Sequence, residues 1–130
     1  MKEIFLVAAM GSLGALLRWH FGGYVHSTLN RALASKTEFP FGTLFVNTIG
    51  SFFLGVTTGL FAPESAPPLA SVALGAGFCG SLTTFSTLAV DLQRFLSERR
   101  FWMFFLCLSV STVGGIAAFL LGLAAVRIVS

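Results

Sequence analysis

The sequence predicts an all-α membrane protein that crosses the bilayer four times, and three observations lead there. Of 130 residues, 55% are hydrophobic and 10% charged, with a mean hydropathy of +0.88. A typical soluble domain has roughly 25% charged residues, so lipid rather than water must face most of this chain. The apolar residues also fall into four stretches of about 20 residues, the length that crosses a hydrocarbon core about 30 Å thick. Finally, the segments between them are short and polar. The same composition excludes a soluble globular domain and a disordered chain.

The first span is expected from about Ile4 to Val25, interrupted by one charge, Arg18, with His20 close behind. A secretory signal peptide is a poorer account of this segment, because three longer apolar stretches follow it. The stretch from His26 to Glu38, with Asn30, Arg31, Ser35 and Lys36, has loop composition. Pro40 marks a helix entrance, where its missing N–H costs nothing.

The second span, about Phe41 to Ala62, carries no charge. Pro63-Glu64-Ser65-Ala66-Pro67-Pro68 ends it as a tight turn. The third starts near Leu69, stays uncharged to Asp91 and leaves through Arg94, Glu98, Arg99 and Arg100. The fourth, Phe101 to Val126, ends at Arg127. Four spans put both termini on one side, and residues 1–130 form a single helical membrane domain with no repeat or linker.

The third span has an unusual middle. Gly77-Phe78-Cys79-Gly80-Ser81-Leu82-Thr83-Thr84-Phe85-Ser86-Thr87 puts glycines and hydroxyls where a spanning helix is ordinarily most apolar. Glycine and threonine are weak helix formers, and hydroxyls compete for backbone bonds. Either the helix breaks near Gly80 to Thr84, exposing backbone to a cavity or ion, or it stays continuous and uses small residues for close packing.

Other polar positions carry a similar choice. Gly11, Gly14, Ala15 and Arg18 share one helical face, and Arg18 lies about 21 Å along the axis from Ile4. It is either an anchor reaching the interface or a charge facing an aqueous vestibule. Thr43, Asn47, Gly50, Ser51, Leu54 and Thr58 form a stripe on the second span. Asn47 brings two N–H donors that need partners, in another helix or in a pore. Cys107, Ser111 and Gly115 share a face of the fourth span.

Several functions are set aside. Net charge is +3, but the basic residues are scattered around apolar segments, so nucleic acid is not indicated. Gly75-x-Gly77-x-x-Gly80 lacks the strand and acidic residue of a dinucleotide turn. Cys79 and Cys107 form no metal or disulfide pattern. No nucleophile and base set suggests an enzyme. No carboxylate lies deep in a span, as a proton-coupled exporter requires.

Three motifs occur in order: G-x-x-G-A-x-x-R at Gly11 to Arg18, G-T-L-x-V-N at Gly42 to Asn47, and G-x-L-T-T-F-S-T at Gly80 to Thr87. With them the chain resembles, over its whole length, the Fluc (CrcB) fluoride-channel family. That resemblance implies a passive fluoride channel in a bacterial inner membrane, built as an antiparallel dual-topology dimer with two pores and a structural Na⁺ at its centre. By the same resemblance Asn47, Phe85, Thr43, Ser111, Arg18 and Thr84 belong to the fluoride pathway, and the backbone carbonyls of Gly80 and Thr83 hold Na⁺. The chain departs from the family pattern at Leu88, where a second phenylalanine is usual, and at Asp91, where glutamate is usual. Cys107 and Gly115 replace hydroxyls on either side of Ser111.

The physical chemistry agrees with that implication. Fluoride is strongly hydrated, so a selective path must offer donors in place of water. Asn47, hydroxyls and the positive edge of Phe85 do so without a fixed cation that would trap the ion. Freed carbonyls suit a hard cation.

Lys and Arg are unevenly placed: Lys2 and Arg127 on the side of the termini, Arg31, Lys36, Arg94, Arg99 and Arg100 on the other. This favours termini outside. A homodimer is expected ahead of pairing with an oppositely oriented homologue. The alternative function is a non-conducting assembly subunit or half of a heterodimeric channel.

Overall fold

In the computed structural model, which describes residues 2–33, 39–61 and 68–129, four helical runs are long and apolar enough to cross a membrane. The first is α1, Lys2–Ala32, and the second α2, Phe41–Leu60. The third run is composite: α3, Pro68–Val72, then a π-helix, Ala73–Cys79, then α4, Gly80–Leu82, and finally α5, Phe85–Ser97. The fourth is α6, Phe101–Val129. No strand occurs among the described residues. The chain is a multi-pass membrane protein.

α1 runs seven residues beyond its expected end, so His26 to Ala32 are helical rather than loop. The polar side chains there bond within the helix and therefore do not break it. Ser27 Oγ donates to the Tyr24 carbonyl at 3.0 Å, and Arg31 Nε to the Ser27 carbonyl at 3.1 Å. Arg18 consequently lies near the middle of α1 instead of toward its far end. The rest of the expected first loop, including Ser35, Lys36 and Glu38, and most of the Pro63 to Pro68 turn lie outside the described residues. Pro40 caps α2 as expected.

α2 sits between α1 and α6. A Cβ on Gly55 would strike the Phe119 carbonyl, so this glycine lets the α2 and α6 backbones touch. Likewise a Cβ on Gly14 would strike the Phe78 carbonyl, which presses the small-residue face of α1 against the third run.

The third run changes partners along its length. Its π-helix and α4 pack on α1 and α2, while α5 packs on α6. Between the halves, Thr83 (φ −81°, ψ 160°) and Thr84 (φ −148°, ψ 118°) are extended. The break expected from the sequence is therefore present, centred on these two threonines. Gly80 itself is helical, at φ −63° and ψ −33°. Beyond the break, Phe95 and Cys107 are fully buried and join Leu88 in a small core with Phe39, Leu92, Met103 and Phe104 around it.

Candidate functional site

In a continuous helix the Thr84 N–H would bond the Gly80 carbonyl. Here it donates instead to Asn47 Oδ1 at 2.7 Å, while Asn47 Nδ2 donates to the Thr84 carbonyl at 3.0 Å. The asparagine of α2 thus pairs with Thr84 as a neighbouring strand would, satisfying both backbone polar groups of that residue. One N–H of its amide is used. The other meets no acceptor among the described residues.

Three further contacts fix the threonines. Thr84 Oγ1 accepts from the Thr87 N–H at 3.2 Å and so caps α5. On the α1 side, Arg18 Nη1 donates to the Thr83 carbonyl at 3.1 Å. The guanidinium is therefore turned inward to the break. Thr83 Oγ1 bonds back to the Cys79 carbonyl at 3.0 Å.

Two cavities meet at Thr84. A vestibule of about 490 Å³ lies between α1, α2 and α5, lined by Arg18, Trp19, His26, Thr43, Thr84 and Asp91 among others. Thr43 Oγ1 donates to Asp91 Oδ2 at 3.0 Å. A chamber of about 400 Å³ lies between α2, the break and α6, with Asn47, Ser51, Thr83, Thr84, Phe85, Leu88, Ser111 and Thr112 in its wall. No charged side chain lines the chamber. Its polar side chains carry hydroxyls and an amide, beside the backbone carbonyls of the break.

Two side chains in the chamber wall are left over by the fold. Ser111 Oγ is buried beside the Cys107 thiol and, among the described residues, meets no partner of good hydrogen-bond geometry. Phe85 stands at the first turn of α5, 80% exposed. Neither contributes what such residues usually give to a fold.

The residues expected from the sequence thus divide between the two spaces. Asn47, Phe85, Ser111, Gly80 and Thr83 lie around the chamber, Arg18 and Thr43 around the vestibule, and Thr84 in both. The bond between Thr43 and Asp91 and that between Arg18 and Thr83 were not legible beforehand. Each joins positions far apart in sequence, and no local pattern signals it.

The carbonyl oxygens at the break suit a hard cation. The Gly80 oxygen has lost the Thr84 N–H that a continuous helix would supply and accepts a long bond from Thr83 Oγ1 at 3.4 Å, and the Thr83 oxygen, shared with Arg18, keeps a second lone pair. Among the described residues no group of three or more His, Cys, Asp or Glu could hold a metal. A cation here would rely on backbone oxygen.

Comparison with known proteins supplies what geometry alone does not. The family model described as CrcB-like protein, Camphor Resistance (CrcB), matches residues 5–123. A protein of Streptococcus pneumoniae named fluoride-specific ion channel FluC 1 is 38% identical over 123 residues, 95% of this chain and 98% of that one. One of Geobacillus kaustophilus named fluoride-specific ion channel FluC 2 is 38% identical, over 93% of this chain and 90% of its own. A third, from Haemophilus ducreyi and named fluoride-specific ion channel FluC, is 32% identical over 95% and 90%.

Proposed function

Because this chain belongs to the CrcB family, we propose that it is a passive fluoride-selective channel, not an enzyme, through which fluoride leaves the cell. The observation that carries the reading is the uncharged chamber at the Thr83–Thr84 break. Its donors are the second N–H of Asn47, the Ser111 hydroxyl and the ring edge of Phe85. Fluoride must shed water to pass, and donors spaced along a wall replace that water one step at a time. A fixed charge in the chamber would hold the ion. Arg18 instead stands at the vestibule, where it raises the local anion concentration.

Direction follows from the membrane potential. An inside-negative potential of 100 mV drives an anion outward by about 2.3 kcal/mol, so neither ATP nor a proton partner is required. The expected location is a bacterial inner membrane.

The active form is read as an antiparallel dimer. Phe85 is 80% exposed and the chamber is open on one side, both of which a second subunit would complete. Four carbonyls, from Gly80 and Thr83 of the two subunits, would then surround a structural Na⁺, whose role is to hold the two breaks together.

A second reading, pairing with an oppositely oriented homologue, is favoured by Leu88. This residue lines the chamber as an aliphatic side chain, 7% exposed and packed with Phe95 and Cys107. A partner bearing an aromatic ring there would make the two pores unequal.

The test is purified protein in liposomes loaded with fluoride, with an electrode recording efflux. Fluoride efflux with little chloride efflux is expected. Silence from folded protein would favour a non-conducting assembly subunit.

A further inference from the structure

Asn47 and Ser51 stand one turn apart on α2, as Ser111 and Gly115 do on α6. The two helices run side by side in the same direction. A Cβ on Gly115 would meet Ser51 Oγ at 3.5 Å, and one on Gly55 would strike the Phe119 carbonyl, so facing positions advance together, four residues on each helix. Thr48 faces Gly114 and Gly59 faces Val126 in the same order. One turn before Ser51 and Gly115, this register sets Asn47 level with Ser111.

That first level has a polar side chain from each helix. At the next level Gly115 brings no side chain, so of the two helices only α2 can supply a donor there, and it does so with Ser51. The hydroxyl of a helical serine or threonine often returns to a carbonyl of the preceding turn. Thr57 and Thr58 of the same helix do this, donating to the Phe53 and Leu54 carbonyls at 2.8 Å. Ser51 does not, and its hydroxyl has no hydrogen-bond partner among the described residues. The residue is half-buried in the chamber wall, so its uncommitted O–H opens on that space.

On the reading of this chain as a fluoride channel, we propose that Ser51 is the donor that receives fluoride after Asn47 and Ser111. An ion stripped of water at the first level meets the next hydroxyl about 6 Å farther along the helix axis. Ser51 is neutral and offers a single hydrogen, so it replaces lost water without trapping the ion. Beyond it the chamber wall passes to Leu54 and Gly75, which carry no side-chain donor. Ser51 is therefore the last side-chain donor that α2 gives this chamber.

The experiment compares fluoride efflux from liposomes, and melting curves, for the unmodified chain, Ser51→Ala and the double variant Ser51→Ala/Gly115→Ser. The unmodified chain should conduct. Ser51→Ala should slow efflux about tenfold, the effect of losing one hydrogen bond to an ion. Its melting temperature should not change, because the hydroxyl binds nothing within the fold. Gly115→Ser returns a hydroxyl to the same gap from the facing helix, where a Cβ already fits at ordinary van der Waals distance. The double variant should therefore regain most of the lost rate, which a hydroxyl serving only to pack the helices would not explain. Unchanged efflux from Ser51→Ala, or a loss that Gly115→Ser does not restore, would overturn the proposal and leave the channel reading standing. Silence of the unmodified chain would overturn that reading and the proposal with it.

Discussion

The guanidinium of Arg18, in the first span, donates to the carbonyl of Thr83 in the third, across 3.1 Å and 65 positions of sequence. Its counterpart is a neutral carbonyl, so its positive charge persists beside the vestibule. Arg18 is at once a brace for the break and a source of field.

Arg18→Gln removes both roles. Losing a charged hydrogen bond costs about 1.5–3 kcal/mol, so the variant should melt earlier and conduct fluoride about tenfold more slowly or worse. Arg18→Lys should recover part of the conduction, because it restores the charge. Parallel melting curves and efflux traces separate the two effects; equal behaviour of Gln and Lys variants would deny the charge any part.

Asn47→Ala deletes the partner of both Thr84 backbone groups and the remaining amide donor. Fluoride efflux should fall by about ten- to a hundredfold. Hydrogen exchange at Thr84 to Thr87 should also quicken, which a residue acting only on the ion would not cause. Phe85→Leu should slow fluoride comparably while leaving exchange there unchanged, since its exposed ring supports little of its own chain.

Gly14→Val places a branched side chain against the Phe78 carbonyl. Overpacking of this kind costs about 1–3 kcal/mol, so the variant should melt earlier in detergent. A melting temperature equal to that of the unmodified protein would mean that α1 stands farther from the third run than described.

If Na⁺ holds the two breaks together, melting temperature should rise with sodium concentration, following the logarithmic law of ligand linkage. N-methylglucamine at equal ionic strength should give no such rise. Identical curves in the two salts would remove the ion from the proposal.

Orientation distinguishes the homodimer from the mixed pair. Tags on the C-terminus, in cells making only this chain, should be found on both sides of the membrane for a dual-topology homodimer. The arginines at the Arg94 to Arg100 exit oppose that balance. A single orientation would assign the chain to a heterodimer.

Much of this was legible in the sequence, for identifiable reasons. Span number followed from apolar length, and the break from hydroxyls and glycine where apolar residues belong. Its centre fell on Thr83 and Thr84, while Gly80 remained helical, because the decisive force is the Asn47 amide drawing Thr84 away, a long-range bond. The end of α1 was misplaced because Ser27 and Arg31 have loop composition yet bond to their own helix. The π-helix, Ala73–Cys79, had no signal beyond glycine content, which suits many structures.

The two extended threonines also give the membrane interior a direction. α4 ends toward Thr83 with carbonyl oxygens, and α5 begins at Phe85 with N–H groups, so opposite partial charges face each other across two residues. An unbroken helix would place those poles at the two membrane surfaces, in water, where they are screened. Here they act at low dielectric, the negative pole met by Arg18 and the positive pole opening beside the chamber. On the proposed function, one short interruption would sort ions by sign, offering oxygens of the first half to a cation and amides of the second to an anion.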